Sequence, residues 1–159
     1  MAKDILLCLS GLDAAQFIMR ASPHIPLDRK LILLYVIDTR PAEELGYIAR
    51  RMHSSGVSAQ HTALMEAAEQ QTAEAVLNEA GEQCMQAGFN PQNIRREIRQ
   101  GRPEQQIIAL AQDLAQNVGL VVIGSSYKRA PNIAPGPASV GHVARFVVDH
   151  SPCDVLLLR

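Results

Sequence analysis

Tryptophan is absent from this 159-residue chain, and aromatic residues make up only 4% of it. That is too few to build the stacking platforms that hold single-stranded nucleic acid. Charge of one sign is missing as well: the net charge is −1, which favours neither a nucleic-acid partner nor a membrane surface. Long apolar runs are lacking. The first, Ile5 to Leu9, is too brief to span a bilayer or to act as a secretory signal, so a cytoplasmic protein is expected. Cys8, Cys84 and Cys153 are odd in number and widely separated. They make neither a disulfide frame nor the ligand pairs of a zinc site, and read as reduced core thiols. The chain has no Gly-x-Ser-x-Gly nucleophile elbow, no internal repeat and no low-complexity tract.

What is present is an alternation. Apolar residues are 47% of the total, enough for one domain, residues 1–159, to bury a sizeable core. Five strand-like runs are expected: Ile5–Leu9, Leu31–Ile37, Asn93–Arg99, the run ending at Gly124, and Asp154–Leu158. The first, second and fourth are continuously apolar, as strands buried on both faces should be. The third has Ile94 and Ile98 on one face and Arg95, Glu97 and Arg99 on the other, which suits a sheet edge.

Helices are expected between them. Asp13 is a candidate N-cap for a helix burying Ala14, Phe17, Ile18 and Ala21, which Pro23 and Pro26 end. Ala73, Leu77, Ala80, Cys84 and Ala87 share a face of a long helix with Gly88 as its C′ residue. Pro103 opens a helix with Ile107, Ala111, Leu114 and Val118 on one side. A last helix starts near Ser139 and ends before Pro152. Residues 41–60 read as a polar connection. Strands alternating with helices imply a doubly wound, open parallel α/β sheet with helices on both faces.

In order and content these pieces resemble the universal stress protein family over essentially the whole chain. The resemblance is carried by "DILLCLSG", "LILLYVID", "GRPEQQIIALAQ" before "VGLVVIGSS", and above all the ending "VGHVARFVVDHSPCDVLLLR". It implies a strand order of 3-2-1-4-5 and a homodimer made by antiparallel pairing of the last strands, Asp154, Val155, Leu156, Leu157 and Leu158. It also implies a stress-response or regulatory role in which many members bind an adenine nucleotide.

A binding site has a physical place in such a fold. Ligands of open α/β sheets sit beyond the carboxyl ends of the strands, where the strand order reverses. That brings Leu9 and Ser10 beside Ile123 and Gly124. Free N–H groups around Gly141, His142 and Val143, at the start of the last helix, suit an anion. The hydroxyls of Ser125, Ser126 and Ser139 and the cations Lys128 and Arg129 add to that character. The resemblance implies Val36 as the apolar residue flanking adenine.

Set against the family's nucleotide motif (Gly, two residues, Gly, nine residues, then Gly-Ser or Gly-Thr), Gly124 and Gly141 match. Tyr127 stands at the middle glycine, His142 at the hydroxyl, and thirteen residues separate Tyr127 from Gly141. Ser10 stands where the family's nucleotide binders usually have an aspartate. The site is therefore expected to be degenerate for ATP. A protonated His142 could donate to a phosphate in place of the hydroxyl.

Other readings remain. Ser10-Gly11-Leu12-Asp13-Ala14 falls one glycine short of a pyrophosphate-binding loop of adenylating enzymes, and an N-capping Asp13 explains it better. The histidines lack metal-ligand spacing. No enzyme, metal or catalytic residue is expected. Arg50, Arg51 and Arg102 are candidates, with Lys128 and Arg129, for a cationic rim around some other anion. The alternative to a nucleotide sensor is an interaction protein that docks a partner through residues 41–60 and the proline-bearing insertion 128–138.

Overall fold

The computed structural model describes residues 2–11, 13–52, 55–125 and 140–159. Five strands, β1 (Asp4–Leu9), β2 (Leu31–Asp38), β3 (Ile94–Gly101), β4 (Val118–Gly124) and β5 (Asp154–Leu158), form one sheet in the order β3-β2-β1-β4-β5. Every pairing is parallel. Among the described residues five α-helices connect them: α1 (Ala14–Ala21), α2 (Arg40–Arg51), α3 (Ser55–Gln86), α4 (Pro103–Gln112) and α5 (His142–His150).

The continuous apolar runs are explained by where their strands lie. β1 sits in the middle, and its side chains alternate between two cores. Ile5, Leu7 and Leu9 join Leu31, Leu33 and Tyr35 under α1 and α3. Leu6 and Cys8 join Ile32, Leu34, Val121 and Ile123 under α4 and α5. β3 is at an edge, with Ile94 and Ile98 against the first core. On its other face Glu97 pairs with Arg95 at 2.9 Å and Arg99 at 2.6 Å.

α3 buries Ala73, Leu77, Ala80 and Cys84, as the spacing required. Burial pushes the Cys84 thiol up to about 11. The helix ends in a Schellman motif: the Gly88 N–H donates to the Met85 carbonyl and the Phe89 N–H to the Cys84 carbonyl, each at 3.1 Å. Gly88 has φ +101°, a conformation costly for a residue with a Cβ.

Two expectations fail. Residues 41–60 are not an irregular connection: they belong to α2 and the start of α3, apart from Met52 and the undescribed His53 and Ser54. Glu43 in the first turn and Arg50 and Arg51 in the last complement the dipole of α2. The stripe read from Ile107 to Val118 is also interrupted. α4 stops at Gln112, and Asp113 caps a 3₁₀ turn by accepting from the Ala115 N–H at 3.0 Å. That turn leaves Leu114 96% exposed, while Val118 already belongs to β4.

The contrast is measurable in urea unfolding. Leu110→Ala, at a fully buried α4 position, should cost about 2–5 kcal/mol, whereas Leu114→Ala should stay within about 0.5 kcal/mol of the parent. Equal losses would mean that Leu114 is covered.

Candidate functional site

β1 and β4 are neighbours, yet the helices that follow them lie on opposite faces of the sheet: α1 packs with α3, and α5 with α4. The chain thus diverges at the carboxyl ends of these two strands, and the divergence opens a crevice. It is a cleft of about 430 Å³, large enough for a small organic ligand. Its floor includes Leu9, Ser10, Ile123, Gly124 and Ser125. Asp13, Gln16, Phe17 and Arg20 line it from the α1 side, and Val36, Pro103, Ile107 and Val143 from the other.

Small residues leave the space open. A Cβ built on Gly124 would lie 3.6 Å from the Phe17 ring, and one on Gly11 would lie 3.6 Å from the Tyr35 hydroxyl. Neither contact is forbidden, so local crowding does not demand glycine at either position. Larger side chains there would occupy the cleft instead. Tyr35 also lines it. Burial first, and then the charge of Glu69, push its phenol up, so near neutrality it is a protonated hydroxyl able to donate. Cys8 also lines the cleft. Burial, and after it Cys153, raise its thiol far above the range of a reactive thiolate.

Seven of the candidates from sequence meet in this cleft: Leu9, Ser10, Val36, Ile123, Gly124, Ser125 and Val143. The Ser125 N–H already donates to the Leu158 carbonyl at 2.8 Å, extending the β4–β5 ladder. Gly141 is the N-cap of α5, without a side-chain cap, and neither it nor His142 is in the cleft lining. The His142 side chain is 71% exposed, with Nε2 3.8 Å from Glu104 Oε1. Ser126, Tyr127, Lys128, Arg129 and Ser139, and the whole 128–138 insertion save nothing, lie outside the described residues.

Asp13 differs from its expected role. It occupies the N-cap position of α1 in the left-handed region (φ 53°, ψ 52°), and its side chain makes no capping hydrogen bond. It lines the cleft instead, and so do Gln16 and Arg20, three and seven residues on. These residues share a flank of α1 beside the buried Ala14, Ile18 and Ala21. That spacing is the signal by which they could have been found. Of the candidates for a cationic rim, Lys128 and Arg129 lie outside the described residues. Arg50 donates to the Gly46 carbonyl at 3.2 Å, Arg51 stands 5.9 Å from the Tyr47 ring centroid, and neither they nor Arg102 line the cleft. Among the described residues, the cation that does so is Arg20.

At the end of β2, Asp38 accepts from the Arg40 backbone N–H at 3.0 Å and from its guanidinium at 2.9 and 2.5 Å. These side-chain hydrogen bonds are the main reason its carboxyl lies below the ordinary 3.8. Among the described residues no group of three His, Cys, Asp or Glu could hold a metal ion, and no helix is long and apolar enough to cross a membrane.

The family model for the "Universal stress protein family" matches residues 1–159. No curated protein matches the sequence. Among solved structures, the chain is similar to universal stress protein UspA from Lactobacillus plantarum, at 22% identity and a TM-score of 0.70, covering 100% of this chain and 99% of that one. It is similar to a universal stress protein solved in complex with cAMP, at 19% identity, a TM-score of 0.61 and coverage of 100% and 98%. A universal stress protein from Archaeoglobus fulgidus in complex with dAMP is 13% identical, with a TM-score of 0.57 and coverage of 99% and 98%. At these identities the likeness is one of fold.

The Asp38–Arg40 pair gives a pH signature. Because the folded carboxyl is depressed, its stabilisation is complete above the unfolded value and fades as pH falls through the folded one. The pair is about one-third exposed, so Asp38→Asn should cost under about 1 kcal/mol near neutrality. In urea titrations this difference should shrink below pH 3.8; a difference that grows on acidification would reverse the assignment.

Proposed function

Because the chain belongs to the universal stress protein family, we propose that it is a stress-response regulatory protein that binds an adenine nucleotide, of the AMP or ATP type, in the cleft between the ends of β1 and β4. The observation that carries this reading is the cleft itself: it lies at the switch in strand order and is lined by both apolar and polar side chains. Val36 and Ile107 offer apolar contact to a base, and Ser10, Asp13 and Gln16 offer acceptors to its amino group or to ribose hydroxyls. Two structures of the same fold are complexes with cAMP and dAMP, which supports a ligand of this chemistry.

Binding is favoured over catalysis. No histidine lines the cleft among the described residues, and its one thiol is held protonated. The role is placed in the cytoplasm, as the cysteine usage argues. The protein is proposed to work as a homodimer through β5. That strand uses one edge to pair with β4 and presents apolar side chains to both cores. Its other edge needs a partner, and a second copy related by a two-fold axis gives a closed assembly.

A second reading, partner docking, rests on α2 and its C-cap, where Leu45, Tyr47, Ile48 and Met52 are exposed. It requires no ligand.

Isothermal titration with AMP and with ATP separates the two readings. The sensor reading expects saturable binding of at least one of them, weakened at least roughly tenfold, about 1.4 kcal/mol, by Gly124→Val in a protein of unchanged circular dichroism. No heat from either nucleotide would leave the docking reading standing. Light scattering should give twice the 17.3 kDa chain mass; a monomer at micromolar concentration would rule out the dimer.

A further inference from the structure

α2 packs on α3 and leaves much of its own surface bare. Ala42 and Gly46 are half-buried, whereas Glu44, Tyr47, Ile48 and Arg51 are exposed. With about 3.6 residues per turn, these four fall at i, i+3, i+4 and i+7, on one stripe of the helix. Tyr47 is 60% and Ile48 51% exposed, with Leu45 and Met52 beside them. The stripe therefore has an acid at one end, large apolar side chains in its middle and a cation at the other end.

Acids early and cations late suit the dipole of α2, but the dipole gives no reason for Tyr47 and Ile48 to lie bare between them. Glu44 and Arg51 are about 10 Å apart along the helix axis, too far to pair with each other. Among the described residues no salt bridge reaches either of them. Arg51 stands over the Tyr47 ring, and Glu43, Glu44, Tyr47 and Ile48 line a shallow depression beside it.

A stripe of this order is its own complement. Laid antiparallel on a second copy about a two-fold axis, each residue meets one from the opposite end of the partner helix. Tyr47 and Ile48 then cover the same pair on the partner, Glu44 faces the partner's Arg51, and Arg51 faces the partner's Glu44. The two helix dipoles also oppose each other favourably. A partner of uniform charge would gain at one end of the stripe and lose at the other.

We propose that α2 is a self-association face, on which a second copy of this chain packs antiparallel across an axis between Tyr47 and Ile48. The proposal rests on the docking reading of α2 and names its occupant; it is separate from pairing through β5. One pair of short helices is small beside a standard interface. The contact therefore forms above the micromolar range, where β5 alone sets the mass.

The test is sedimentation equilibrium of the full chain, from micromolar to about 1 mM, on the parent, on Glu44→Arg, on Arg51→Glu and on an equimolar mixture of the two variants. The parent should gain mass as concentration rises. Each variant alone sets like charges across the axis and should need at least roughly tenfold more protein for the same gain. The mixture sets opposite charges face to face again and should return to within about threefold of the parent. Tyr47→Ser, which changes no charge, should weaken the parent's association as well. A parent that gains no mass, variants that gain it equally, or a mixture no heavier than its components would each overturn the proposal. The docking reading is judged separately by the nucleotide titration: with no self-association and no nucleotide heat, α2 is left to a foreign partner, and with nucleotide binding both fall.

Discussion

Pairing of β1 with β4, from Ile5 against Leu120 to Cys8 against Ile123, governs where this molecule can hold a ligand. The two strands share a ladder but send their chains to opposite faces of the sheet. Side chains from the following helices, Phe17 and Arg20 of α1 and Val143 of α5, line the gap between their ends. The cleft is thus a consequence of topology, maintained by the burial of Leu6, Leu7, Val121 and Val122, each almost fully enclosed. Ser10, Gly11, Gly124 and Ser125, small residues placed where the strands stop, help keep it open.

The electrostatics of the cleft and its surroundings follow from which helices start nearby. The α5 terminus attracts anions, but α4 also starts here and carries Glu104 at its second position. Arg40, at the beginning of α2, reaches towards Glu104 yet is committed to Asp38. Three helix starts and the end of β2 therefore converge on one side of the cleft, with two carboxylates, one guanidinium and one exposed imidazole among them. On the other side stand Asp13 and Arg20. Among the described residues Arg20 is the cation that lines the cleft.

Much of the fold was legible in the sequence because it depends on local patterns. Continuous apolar runs identified the central strands, alternation marked β3 as an edge, and Gly88 marked the end of α3. The misreadings arose where a pattern crossed a break or where contact is non-local. Ile107, Ala111, Leu114 and Val118 keep helical spacing on paper, but Asp113 ends the helix between the second and third of them. Leu45 and Ile48 keep helical spacing in 41–51, but α2 is largely exposed and polar overall, so the segment passes for a polar connection although Pro41 stands in its first turn. Asp13 fits the spacing of a cap; only the turn that puts it at φ 53° frees its carboxyl for the cleft. Glu104 could not be singled out in "GRPEQQ", since Arg40 and His142 reach it from distant parts of the chain.

The central claim is that an adenine ligand sits at the β1–β4 switch point. It is tested most directly by amide chemical-shift mapping of the isotope-labelled chain with AMP. The account predicts saturable shifts at Ser10, Gly11, Asp13, Gly124 and Val143, with Tyr47 and Ile48 on α2 unmoved. Shifts confined to α2, or none at saturating AMP, would contradict it.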